Sequence, residues 1–187
     1  MRKELMEDGK QYLIQYNGTY DIIFKKLFQK TEIAARVIGS IINEEVKPEK
    51  LVYIDSVQAN MVNCKSETFD VTLEIMGNVN EYIDLEMQRS KRDYVLADRL
   101  LTNLSAMITN ETEKGARYGG NKYYSICFTS YPLKNSQCIV DLFKEIADGI
   151  KCAQIYLVDL TKLEKCDKLK LKEILEIVNG NTLQLIK

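Results

Sequence analysis

Hydrophobic and polar positions alternate most cleanly between Phe69 and Gln88, FDVTLEIMGNVNEYIDLEMQ. Phe69, Val71, Leu73 and Ile75 are apolar; the intervening Asp70, Thr72 and Glu74 are polar, with Met76 the exception. The parity survives Gly77-Asn78-Val79-Asn80. Beyond it Ile83, Leu85 and Met87 are apolar, and Tyr82, Asp84, Glu86 and Gln88 form the other set. Period-two alternation predicts two strands with one buried face each, and the Gly and Asn residues between them predict the turn because both tolerate positive φ. A turn centred on Asn78 pairs Phe69 with Met87, Val71 with Leu85 and Leu73 with Ile83. A slip of one residue would set apolar against polar, which burial forbids. In this register Asp70 faces Glu86, Thr72 faces Asp84 and Glu74 faces Tyr82, with directly opposed Cβ atoms roughly 5 Å apart.

Periodicity organises the rest of the chain around this hairpin. After a polar stretch over 1–19, TYDIIFKKLFQK predicts a helix with Thr19 or Asp21 as cap and Ile23, Phe24, Leu27 and Phe28 as its apolar stripe. Thr31 is the expected cap of a second helix, built on Ile33, Ala34, Val37, Ile38, Ile41 and Ile42 and closed before Pro48. Residues 51–62 have strand composition and are placed beside the hairpin. With Ser90 as candidate cap, a long helix is expected from Tyr94 to about Glu113. Its stripe is Tyr94, Ala97, Leu100, Leu101, Leu104, Met107 and Ile108; Asp98, Arg99, Thr102, Asn103, Ser105 and Thr109 fall off it. Gly115, Gly119 and Gly120 end that pattern. Strands are predicted at 122–130 and 153–160, a helix at 168–179 closed by Asn179-Gly180, and 137–146 reads equally as helix or strand. The order implies an α/β fold with a central mixed β-sheet flanked by α-helices, in one domain covering 1–187.

Composition narrows the chemistry. The 187 residues carry a net charge of −1, so no global basic field advertises nucleic acid, although a local patch would suffice. No apolar run approaches the roughly 20 residues of a membrane span, and MRKELMEDGK lacks a signal-peptide core; a cytoplasmic protein without membrane contact is expected. The five cysteines, Cys64, Cys127, Cys138, Cys152 and Cys166, form no CxxC pair and read as free thiols. Histidine is absent, which excludes Ser-His-Asp, Cys-His and any other histidine-based acid–base scheme. Carboxylates, lysines and a metal must carry any chemistry.

One hairpin face gathers Asp70, Glu74, Asp84, Glu86 and Gln88. Like charges this close destabilise a sheet unless something compensates. A divalent cation held by Asp70 and Glu86 is one answer; an acidic face open to water is the other, and spacing alone leaves both open. Arg89, Lys91, Arg92 and Arg99 lie just beyond the second strand, as phosphate contacts or as an ordinary solvated helix start. Lys25 and Lys26 sit on an unassigned side, and Tyr118, Tyr123 and Tyr124 read as core aromatics or as stacking partners for bases.

Taken in order, YDIIFKKLF, FDVTLEI, IDLEMQ, YVLADRLL and KGARYGGNKYYSICF resemble the PD-(D/E)XK nuclease-family transposases, the recombination-promoting nucleases. That family shows a D-x-x-F-K-x-x-F start, a strand led by Asp, an E-x-Q strand, an Arg on the next helix and a Gly-x-x-Tyr before a further strand. These fall on Asp21, Phe24, Lys25 and Phe28; on Asp70; on Glu86 and Gln88; on Arg99; and on Gly115 and Tyr118, over about residues 20–165. The resemblance implies a restriction-endonuclease-like core and an endonuclease that hydrolyses DNA phosphodiesters with Mg2+ or Mn2+ in transposition or recombination. It implies Asp70, Glu86 and Gln88 as catalytic residues, Asp70 and Glu86 as metal ligands, and Lys91, Arg92 and Arg99 as DNA contacts. Gln88 stands where the wider superfamily carries lysine. A homo-oligomer is a possible state, and a catalytically inactive remnant that binds DNA or protein is the alternative.

Overall fold

The computed structural model describes residues 21–54, 58–59, 67–68, 70–77, 79–91, 96–111, 121–134, 137–142 and 152–180. Helices α1 (Asp21–Phe28) and α2 (Thr31–Ile42) precede strands β1 (Leu51–Ile54), β2 (Gln58–Ala59), β3 (Glu67–Thr68), β4 (Val71–Ile75) and β5 (Glu81–Gln88). Helix α3 (Leu96–Glu111), strands β6 (Lys122–Thr129), β7 (Ile139–Asp141) and β8 (Ala153–Asp159), and helix α4 (Leu169–Val178) complete the order. A six-stranded mixed sheet runs β1-β4-β5-β6-β8-β7. The β5–β6 and β6–β8 pairs are parallel, and the β1–β4, β4–β5 and β7–β8 pairs are antiparallel. The protein is therefore α/β, with helices on both faces of a mixed sheet.

The hairpin has the register expected from parity, pairing Val71 with Leu85, Thr72 with Asp84, Leu73 with Ile83 and Glu74 with Tyr82. Phe69 and Asn78 lie outside the described residues. Strand β1 lies against β4, as expected of a flanking strand, but the predicted 51–62 strand is divided: 58–59 pair with 67–68 in a separate two-stranded sheet. The ambiguous 137–146 segment contributes β7, while 143–150 lie outside the described residues.

Two cores sandwich the sheet. On one side α1, α2 and α4 pack on Val71, Leu73, Ile83, Leu85, Met87, Ile126, Phe128 and Val158. Phe24, Phe28 and Phe128 seat α1, with ring centroids 4.7 to 5.6 Å apart. On the other side Leu100, Leu104, Ala106 and Met107 of α3 cover Tyr82, Tyr123, Cys127, Ile155 and Leu157. The expectation of one buried face per hairpin strand is corrected for β5, where seven of its eight residues, Tyr82 to Gln88, are buried. A central strand with a parallel neighbour is covered by its own crossover helix, so its polar-looking face is interior as well.

Local differences have local causes. Thr31 is the first helical residue of α2 and not its cap; Lys30 precedes it in extended conformation, without a side-chain cap. Helix α2 ends at Asn43 with φ 60°, and the chain turns back so closely that a Cβ on Gly39 would lie 2.6 Å from the Glu44 carbonyl. Glycine is required there. The last helix matches its prediction, with Leu171, Ile174, Leu175 and Val178 buried and Gly180 at φ 73° closing it. Among the described residues no helix is long and apolar enough to cross a membrane.

Candidate active site

Alternation along β5 puts Tyr82, Asp84, Glu86 and Gln88 on the face that α3 covers. Helix α3 turns Arg99 and Asn103, one turn apart, towards those residues. In sequence both fall off the apolar stripe of that helix. Off the stripe they are nonetheless drawn in: Asn103 is 0% exposed, and the Arg99 side chain 27%. Leu100, Leu104 and Met107 bring this side of α3 onto the sheet, and the two polar residues beside that stripe come with it.

A chain of polar contacts results. Asn103 Nδ2 donates to Glu86 Oε1, both side chains being buried. The Arg99 guanidinium lies 3.3 Å from Glu86 Oε2 and donates to Gln88 Oε1 at 2.8 Å. Gln88 Nε2 donates to the Ser90 carbonyl at 2.8 Å, so both ends of this amide are held. Glu86 and Gln88 are 1% and 4% exposed.

Asp84 is different. It is buried, and neither of its oxygens meets a hydrogen-bond donor among the described residues. Its cross-strand neighbours are Thr72 on β4 and Ser125 on β6, whose buried hydroxyls, like Asn103 Oδ1, also meet no partner among the described residues. Burial raises the Asp84 carboxyl well above the usual carboxylate range. The charges of Glu86 and then Asp70 push it further, against the pull of Arg99, and a carboxyl–carboxyl hydrogen bond to Glu86 forms when a proton sits between them. Burial, then the Glu86 charge, likewise raises the thiol of Cys127, which pairs with Glu86 across the β5–β6 ladder.

Asp70 stands one residue before the paired Val71, where the hairpin frame aligns it with Glu86. Its Oδ2 accepts from the Met87 amide at 3.0 Å. Burial raises its pKa and the Met87 hydrogen bond opposes this; the Asp21 charge adds to the rise, and Lys25 and Arg99 counter it. Lys25 is thus close enough for its charge to act on Asp70. Of the expected phosphate contacts, Lys91 is exposed beyond β5, Arg99 is engaged with Glu86 and Gln88, and Arg92 lies outside the described residues, as does Tyr118. Tyr123 and Tyr124 are buried core aromatics. Cys127, Cys138 and Cys166 are free and buried, Cys152 is free and exposed, and Cys64 lies outside the described residues.

The donor set fits a hard cation in part. Among the described residues no three Asp, Glu or Cys side chains converge on one point. Two carboxylates remain side by side in an oxygen-lined setting, and Mg2+ is commonly held by one or two carboxylates with waters and substrate oxygens. Asn103, Thr72 and Ser125 were missed by sequence reading. The usable signals were the four-residue step from Arg99 to Asn103, and Ser125 alternating with Tyr123 and Cys127. No protein-family model, curated protein or solved structure matches the chain.

Proposed function

We propose that this chain is a divalent-cation-dependent endonuclease that hydrolyses DNA phosphodiesters on a restriction-endonuclease-like core. The observation that carries this reading is the line of Glu86, Arg99 and Gln88 at the C-terminal end of the parallel strand β5, with Asp70 at its flank. Open α/β sheets bind ligands beyond the carboxyl ends of their strands. A carboxylate, a guanidinium and an amide there match the needs of phosphoryl chemistry.

Each residue has a role in this reading. Glu86, fixed by Asn103, and Asp70, fixed by the Met87 amide, present carboxylate oxygens to Mg2+ or Mn2+. A bound cation would polarise the phosphate and make attacking water more acidic. Arg99 keeps part of its side chain in solvent and offers a planar fork suited to a phosphate. Gln88 cannot act as a base; its amide, held between Arg99 and Ser90, serves to orient water or phosphate. Lys91, exposed beyond β5, extends the positive side of the site along the DNA backbone, and Arg92 is its sequence neighbour in that role.

Nicking of supercoiled plasmid tests the reading. Wild type should nick in Mg2+ and not in EDTA, and Glu86→Gln and Asp70→Asn should lose nicking while circular dichroism stays native. Variants that nick as fast as wild type would refute these assignments.

A specific observation favours the second reading, an inactive remnant that binds DNA or protein. Glu86 and Gln88 are held by Asn103, Arg99 and Ser90, contacts that do not require a cation. Wild type that binds DNA but never cuts, in Mg2+ or in Mn2+, would establish that reading.

A further inference from the structure

We propose that Asp84 is a ligand of the cation centre, paired with Glu86 and flanked by the hydroxyl oxygens of Thr72 and Ser125. This rests on the cation-dependent reading above and adds a residue that the resemblance leaves without a role.

The geometry points this way on three counts. First, a buried carboxylate is among the costliest groups to leave without a donor, and native proteins compensate nearly all such groups with a protein partner, water or an ion. Asp84 is 1% exposed, and among the described residues neither of its oxygens meets a donor. Second, the atoms left without a partner among the described residues beside it and Glu86 are oxygens: Thr72 Oγ1 and Ser125 Oγ from the residues paired with Asp84 on the two adjoining strands, and Oδ1 of the Asn103 amide that binds Glu86. A shell of carboxylate, hydroxyl and amide oxygens is the donor type that hard divalent cations take. Third, the Arg99 charge offsets only part of the cost of burying Asp84. The guanidinium goes to Glu86 Oε2 and Gln88 Oε1.

The strand geometry makes the pair usable. Asp84 and Glu86 are two residues apart on one strand face, so their side chains project in parallel beneath α3. Asp70 has its Oδ2 committed to the Met87 amide. Asp84 therefore offers the freer carboxylate beside Glu86, and Asp70 serves at the margin of the site.

The test is Mn2+ binding without DNA, followed by calorimetry and by the cation-induced rise in melting temperature, for wild type, Asp84→Asn, Glu86→Gln and Ser125→Ala. Wild type should bind in the millimolar range or tighter. Asp84→Asn should bind at least about tenfold more weakly and lose the thermal shift, and Ser125→Ala should weaken binding by less. Without cation, Asp84→Asn should melt no lower than wild type, since a neutral amide removes the repulsion between Asp84 and the Glu86 and Asp70 charges. If Glu86→Gln loses Mn2+ and Asp84→Asn keeps it, this inference fails and the cation-dependent reading stands. If wild type binds no Mn2+, with or without DNA, both fail. A measurement on wild type alone guards against a misfolded variant: Fe2+ with ascorbate and peroxide should cut the backbone near Asp84 and Ser125. Cuts near Asp70 alone would overturn the assignment.

Discussion

Asn103 on α3 donates a hydrogen bond to Glu86 on β5, joining two buried side chains 17 positions apart. This bond ties the crossover helix to the acidic face of the sheet and sets the direction of the Glu86 carboxylate. Replacing Asn103 by Ala removes the donor and leaves Glu86 Oε1 buried without it. The expected loss is about 1–3 kcal/mol in urea unfolding. Asn103→Asp should cost more, because it sets a further carboxylate against Glu86 and Asp84. An Asn103→Ala protein as stable as wild type would mean the bond does not form in solution.

Arg99 links Glu86 to Gln88 through one guanidinium. Arg99→Met should destabilise by about 1–2 kcal/mol, less than a fully buried pair would, because solvent screens a side chain that is 27% exposed. Plasmid nicking should fall at least about tenfold, the scale of losing one well-placed phosphate or transition-state contact. Arg99→Lys keeps the charge but not the fork, and should recover stability better than nicking. Equal recovery of both would argue against phosphate contact by Arg99.

Asp159, at the end of β8, gives a pH signature independent of the site. Its carboxylate accepts from the Leu133 and Thr161 amides at 2.8 and 3.0 Å and lies 2.8 Å from Lys162 Nζ. Burial alone would raise its pKa, but the bonds from Lys162, Thr161 and Leu133 outweigh it and hold the value below normal. A carboxyl with a lowered folded value stabilises fully above its unfolded pKa of about 3.9 and loses that contribution as pH falls through the folded value. The stability lead of wild type over Asp159→Asn should be constant near neutrality and shrink below about pH 4. Denaturant unfolding of the two proteins across that range checks it; a lead that grows in acid would contradict the account.

Much of this was legible from spacing. Strand alternation has period two, so Val71, Leu73, Ile83 and Leu85 determine the hairpin register without knowledge of the fold. The stripe Leu171, Ile174, Leu175 and Val178 placed α4 equally well. The burial of Asp84, Glu86, Gln88 and Asn103 was not legible. A polar face reads as solvent-facing, and only the parallel β5–β6 pairing, with α3 as its crossover, covers that face. Pairing between distant segments is a tertiary fact with no local signal. The Asp70 carboxylate likewise turned to the Met87 amide, because a strand end leaves a backbone donor to satisfy.

Anomalous diffraction from crystals soaked in Mn2+ tests the central claim most directly. The account predicts a peak on the α3-facing side of β5, at a coordination distance of about 2.0–2.6 Å from a Glu86 carboxylate oxygen, with Asp84 as a second ligand. Soaked crystals with manganese elsewhere on the surface and none at Glu86 would contradict it.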